Sequence, residues 1–285
     1  MSRSIFIHSN KILCIKSRVH DEDTIKNRIW HATEKKDDTY KRELQGEDVK
    51  KYFIEWNGKT WISYGEWLAA PRESKFFTYP RLLIREIVNG RILCGYTEEE
   101  FYNTPSIINI ISKTDKRVLK YLLTLINSKL FKWYHINTSP KAKKGLFPKI
   151  LVNDVRNLPI AKATPAQQEN LAKKADEMIE LNKQLHGKTA DNVNYIRSKF
   201  NIEKLSQKLE KYYLLGGNEF LTELQKAKIK LDMKHEQELL KWFEETKSDL
   251  LILVREIETL DHTIDTEVYT LYNLTDNEIK IIEEG

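Results

Sequence analysis

Eleven lysines and arginines crowd the sixty positions from Phe101 to Ile160, against only Asp115 and Asp154. Side chains of this kind neutralise phosphates and release condensed counterions, so a local +9 is chemistry suited to a polyanion. A basic face kept for solubility would give the same count. Lys141, Lys143 and Lys144 fall in Thr138 to Pro148 (TSPKAKKGLFP), which its prolines and glycine mark as a loop able to reach into a groove. Arg72, Lys75, Arg81, Arg85 and Lys132 complete the expected contact set. In such a set, cations fix register on phosphates, while Arg, Asn, Gln and Ser read base edges. Arg81 and Arg85 sit on an expected strand, where a salt bridge to Glu86 or another neighbour competes with that role. Trp56, Trp61, Trp67 and Trp133 are expected in the core rather than stacked on bases.

Catalytic constellations are absent from the residue pattern. Asn103-Thr104-Pro105-Ser106 lacks the second proline and the aromatic that hold and stack a flipped base in an amino-methyltransferase. Glu73-Ser74-Lys75 with Asp48 upstream fits the metal-nuclease pattern, but Glu34-Lys35-Lys36 and Glu278-Ile279-Lys280 match it equally, as chance predicts at 31% charged residues. His8, His20, His31, His135, His186, His235 and His262 show no metal-ligand spacing. No Gly-x-Ser-x-Gly elbow or phosphate-binding glycine loop occurs. The expectation is no catalytic residue, no metal ligand and no cofactor site in this chain.

Composition bounds the setting. The 285 residues are 40% hydrophobic, enough for one or two cored domains. No apolar run approaches the roughly 18 residues that span a bilayer, and the first residues lack a secretory pattern. The two cysteines, Cys14 and Cys94, make neither a disulfide framework nor a zinc site, which fits a reducing cytoplasm. Charge divides the chain: residues 1–160 carry 29 basic and 18 acidic side chains, residues 161–285 carry 18 and 24.

The same division separates two patterns of structure. Strands are predicted at Ile12–Ile15, Tyr52–Trp56, Thr60–Tyr64, Arg81–Val88 and Ile92–Tyr96, with Asn57-Gly58 and Asn89-Gly90 as hairpin turns. Lys116–Tyr134 has the 3.6-residue period of a basic amphipathic helix. Thr164, Pro165 and Gln167 make a capping box and first turn, opening a helix of about 20 residues (roughly 30 Å) that Gly187 can end. An irregular stretch, 188–233, precedes a second long helix, Lys234–Leu260. A short amphipathic end, Val268–Ile282, follows with Thr275 and Glu278 as a second capping box. The expected fold class is α+β: a strand-rich mixed α/β domain over 1–160, then long antiparallel spacer helices over 161–285.

Five stretches carry a resemblance: Leu44–Tyr52 with its Gly46-Glu47-Asp48-Val49, Tyr79–Ile87 with Pro80-Arg81 and Arg85-Glu86, Tyr121–Leu130 with Leu125-Ile126-Asn127-Ser128, Leu158-Pro159-Ile160 followed by Gln167-Gln168, and Leu260–Ile279 with Ile264-Asp265 and Leu271-Tyr272-Asn273-Leu274-Thr275. Their order, over about residues 40–285, resembles the C-terminal specificity region of type IIG and type IIS restriction–modification enzymes. More distantly, it is similar to type I restriction specificity subunits. Two positions depart from the family pattern: Ala161-Lys162 replaces a second proline, and Asn273 replaces a glycine. The resemblance implies a target-recognition domain that reads double-stranded DNA for an adenine-specific methyltransferase and endonuclease. The catalytic domains, with their S-adenosylmethionine and magnesium, would lie elsewhere in the same polypeptide or in a partner subunit. The competing expectation is a helical protein-interaction scaffold whose basic face is incidental.

Overall fold

The computed structural model describes residues 5–9, 22–88, 90–112, 115–142, 148–229 and 231–285. The strand expected at Ile12–Ile15, the turn residue Asn89, and Lys143 and Lys144 lie outside them. The chain divides into two compact units, Met1–Asp176 with Thr263–Gly285, and Glu177–His262. The architecture is the expected class, with mixed sheets first and long helices after.

The first unit opens with β1 (Ile5–Ser9), α1 (Glu22–Lys26), β2 (His31–Ala32), β3 (Tyr40–Leu44) and β4 (Trp61–Ser63). It continues through α2 (Lys75–Thr78), β5 (Arg81–Arg85), β6 (Cys94–Thr97), β7 (Tyr102–Asn103) and β8 (Ile107–Ser112). One sheet has the order β1-β8-β5-β6, antiparallel throughout. The other runs β2-β4-β3-β7, with β3 and β7 parallel. Arg81 opposite Thr97 and Ile84 opposite Cys94 confirm the β5–β6 hairpin, and Gly90 supplies its positive φ of 77°.

Side chains alternate across a strand, so β5 serves two faces. Leu83 joins Leu44, Val49, Phe101 and Ile107 in a core cluster. Leu82 and Ile84 point the other way, toward α3 (Lys116–Asn127), which packs across β5, β6 and β8. Arg81 and Arg85 share the face of Leu83, one at each end of the strand.

The Asn57-Gly58 turn forms, but not the hairpin expected around it. Gly58 has φ 76° and the Asn57 side chain accepts from the Lys59 amide at 2.7 Å, yet β4 pairs with β2 and β3. Tyr52–Trp56 makes only isolated bridges, because Tyr52 turns the chain at φ 74° and is fully buried. The single helix expected over Lys116–Tyr134 is two, α3 and α4 (Lys129–Thr138), broken at Ser128 with ψ 157°. Asn127 pins the break to β6: its side chain accepts from the Cys94 amide at 3.1 Å and donates to the Cys94 carbonyl at 2.8 Å, replacing a strand neighbour.

After α5 (Val152–Arg156), α6 runs Pro165–Phe200, 36 residues. Thr164 and Gln167 form the expected capping box, at 2.9 Å and 3.3 Å. Gly187 does not stop the helix; a mid-helix glycine costs only about 1 kcal/mol, less than the packing on either side supplies. Next come α7 (Gln207–Glu210), a 3-10 turn at Tyr212–Leu214, α8 (Gly217–Lys226), α9 (Met233–Leu271, 39 residues) and α10 (Asp276–Glu284). The irregular stretch expected at 188–233 is therefore mostly helical.

The second unit has its own core of Leu185, Ile196, Leu209, Tyr212, Phe220, Phe243 and Leu250. Phe220 of α8 stacks on Phe243 of α9 at 4.5 Å; Tyr195 lies on Trp242 at 4.9 Å while Lys188 and Asp249 line one cleft, so α6 and α9 run antiparallel there. In the first unit, Asn170 bonds Glu267 at 2.8 Å in the same sense.

Two tyrosines hold the Leu158-Pro159-Ile160 turn. Tyr272 donates to the Pro159 carbonyl at 2.5 Å and accepts from the Ala161 amide at 3.1 Å, while Tyr121 donates to the Ala161 carbonyl at 3.0 Å. Burial pushes both phenols up to about 12, so they act as hydrogen-bond donors at any ordinary pH. Tyr272→Phe should lower unfolding free energy by about 1 kcal/mol, read from the urea midpoint at constant slope; an unchanged midpoint would deny that hydroxyl its role.

Candidate nucleic-acid interface

The structure sorts the expected contact cations by what each already touches. Arg81 is 0% exposed, and its guanidinium donates to the carbonyls of Tyr79 (3.0 Å), Glu99 (3.0 Å) and Phe101 (2.9 Å). Burial pushes it down to about 10, with Glu100 and Glu99 opposing, so it is still charged at neutral pH. Arg81 ties residues 99–101 to β5. It cannot reach a phosphate, and the expectation that it does so is corrected.

Lys75 is paired with Glu73 and lies over the Phe76 ring at 5.3 Å. Arg72 is half-buried, with its backbone fixed by the Tyr64 hydroxyl. Lys132, half-buried on α4, donates to the Gly285 carbonyl at 3.4 Å. Lys141 is exposed, and its carbonyl accepts from the Lys149 amide at 3.1 Å.

The +9 of residues 101–160 is largely answered within the first unit. Lys116 pairs with Glu98, Arg117 with Glu169 (3.2 Å), Lys120 with Asp176 (2.5 Å), Lys129 with Glu283, and Lys149 with Glu86 (3.4 Å). Three of these acids come from beyond residue 160. A division of charge by sequence position hides this: part of the acidic tail neutralises α3 and α4. Surface pairs are weak in energy, but they lower the field that a polyanion would meet.

No hydrogen bond or ion pair joins the Arg85 guanidinium to a described residue. Arg85 is half-buried in a groove lined by Gln45, Gly46, Glu47, Ile87 and Ser106. The groove lies where the 3-10 turn after β3 meets the end of β5 and the start of β8. Gly46 packs beside both: a Cβ there would stand 3.3 Å from Ser106 Oγ and 3.8 Å, ordinary contact, from Arg85 Cγ. Residue patterns alone marked Arg85 but missed Gln45, Glu47 and Ser106, which fall inside or beside the quoted motifs yet carry no charge excess.

The residues weighed for catalysis serve the fold. Asp48 accepts from the Gln45 amide at 2.6 Å, closing the 3-10 turn, and burial pushes its carboxyl up. Asn103 donates to the Thr104 carbonyl at 3.0 Å, and the Thr104 and Ser106 hydroxyls share a hydrogen bond of 2.6 Å. Among the described residues, no three of His, Cys, Asp and Glu come together as metal ligands, and no helix is long and apolar enough to cross a membrane.

Residues 41–160, the span that holds both sheets' shared core and the groove, match the family of TaqI-like C-terminal specificity domains. The matched span ends where the Leu158-Pro159-Ile160 turn is clamped by Tyr121 and Tyr272. Residues 164–268 match a separate domain family of unknown function, DUF8810. No curated protein matches the chain. Among solved structures, the chain is similar to the type IIL restriction–modification enzyme MmeI in complex with DNA, at 12% identity and a TM-score of 0.41. That similarity covers 75% of this chain and 31% of the enzyme chain, so the protein spans about a third of its length. The specificity domain accounts for the N-terminal motifs of the resemblance.

Proposed function

We propose that this chain recognises a DNA sequence on behalf of an adenine-specific methyltransferase and endonuclease of a type II restriction–modification enzyme. The specificity-domain match over residues 41–160 carries this reading. The geometry is compatible with it: a two-sheet body presents a polar groove and an exposed Lys141. Double-stranded DNA is the ligand. The methyltransferase and nuclease domain or subunit is the partner, and it would hold the S-adenosylmethionine and magnesium. Residues 1–160 read DNA, and the helices of 161–285 set spacing and dock the partner.

Among the contact residues, Lys132, Lys141, Lys143 and Lys144 hold phosphates, Arg72 and Lys75 do the same, and Arg85 faces bases. Each lost phosphate contact flattens the slope of log affinity against log salt by roughly 0.9. Neutralising Lys141, Lys143 and Lys144 together should therefore weaken duplex binding and flatten the slope by up to about 2.7. An unchanged slope in a fluorescence-anisotropy titration would remove this loop from the interface.

A further inference from the structure

We propose that Arg85 and Glu47 together read one G·C base pair, Arg85 on the guanine and Glu47 on the cytosine. This assignment rests on the DNA-recognition reading above and names its base-reading site. Four observations carry it.

First, the two ends of one strand face treat their arginines differently. Arg81 has three carbonyl acceptors, whereas the Arg85 fork has none among the described residues. Second, the stem of Arg85 packs along the turn at Gly46, where a Cβ would stand 3.8 Å from Arg85 Cγ, ordinary contact distance. A side chain steered by packing forfeits less rotamer freedom on binding. Third, Glu47 is exposed in the same groove, and no ion pair within 4 Å joins it to Arg85 or to another described residue. Fourth, an acid at the rim opposes a phosphate, so the groove is unsuited to clamping the backbone. It suits a base-pair edge. An arginine fork matches guanine O6 and N7, and a carboxylate accepts from the cytosine N4 amine. Gln45 contributes less, because its amide donates to Glu43 at 2.9 Å.

The test is selection of duplexes from a random pool by the full chain, compared with Arg85→Ala, Glu47→Gln and a Lys141→Ala control. The wild type should enrich a motif with G·C fixed at one position. Arg85→Ala and Glu47→Gln should each relax that same position, by roughly 5- to 150-fold in relative affinity, and leave the others intact. Both sites are solvent-accessible, so thermal melts should match the wild type. Lys141→Ala should weaken all sequences alike. If the wild type selects a motif that Arg85→Ala reproduces unchanged, the base-reading assignment is wrong while DNA recognition stands. If Arg85→Ala weakens all sequences equally and lowers the salt slope by about 0.9, Arg85 is a phosphate contact and the proposal fails. A wild-type pool with no preferred sequence overturns both readings.

Discussion

Replacing Arg81 with alanine is expected to destabilise the specificity domain by about 3–5 kcal/mol, the cost of breaking a buried charged network. The side chain is fully buried and donates to three backbone carbonyls, that of Phe101 in a buried bond. Deletion leaves a cavity and unsatisfied acceptors together. Arg81→Lys should recover only part of the loss, since an ammonium cannot span carbonyls of Tyr79, Glu99 and Phe101 with one planar fork. Urea unfolding followed by tryptophan fluorescence checks both variants. A loss below about 1 kcal/mol for alanine would mean that the arginine is not the tie between β5 and residues 99–101.

Asp265→Ala is expected to cost about 2–3 kcal/mol, the range for a hydrogen bond to a buried charged group with a helix-end contribution. Asp265, in α9, is 1% exposed and accepts from the Lys129 amide at 2.9 Å, at the N-terminus of α4. The Ser128 hydroxyl serves the same helix end, accepting from the Phe131 amide at 3.3 Å. Two motifs far apart in sequence, Leu125-Ile126-Asn127-Ser128 and Ile264-Asp265, thus meet at one helix break. Asp265→Asn keeps the acceptor but loses the charge, so it should cost less than alanine. Equal stability of wild type and Asp265→Ala, measured by the same unfolding curves, would detach the tail from the specificity domain's fold.

What could be read from sequence followed local chemistry. The capping boxes at Thr164 and Thr275 are each a pairing across three residues, and both form as expected. The β5–β6 hairpin was legible from Gly90 and its flanking apolar runs. Pairings set by distant partners were not. β8 (Ile107–Ser112) is buried along its whole length and central in its sheet, yet it shows no alternation, so it escaped the period-2 pattern that marks half-buried strands. Its unbroken Ile-Ile-Asn-Ile-Ile run was the available signal. The break at Ser128 depends on Asn127 reaching Cys94, a contact across 33 positions that helical periodicity cannot register.

The site was legible in part. Charge counting overstated the free positive charge of residues 101–160, because Glu169, Asp176 and Glu283 return to pair with it. Arg81 and Arg85 look alike four positions apart on one strand. Only the surrounding carbonyls separate the structural arginine from the one left facing a groove.

The most direct measurement is the ratio of affinities of the full chain for its best selected duplex and for a scrambled duplex of equal length, at one fixed salt near physiological strength. Specific readers of DNA show ratios of roughly 10³ or more under such conditions, and a ratio in that range is the predicted result. A ratio near one, with both affinities falling together as salt rises, would leave only a cationic surface that holds any duplex, and would contradict sequence recognition by this domain.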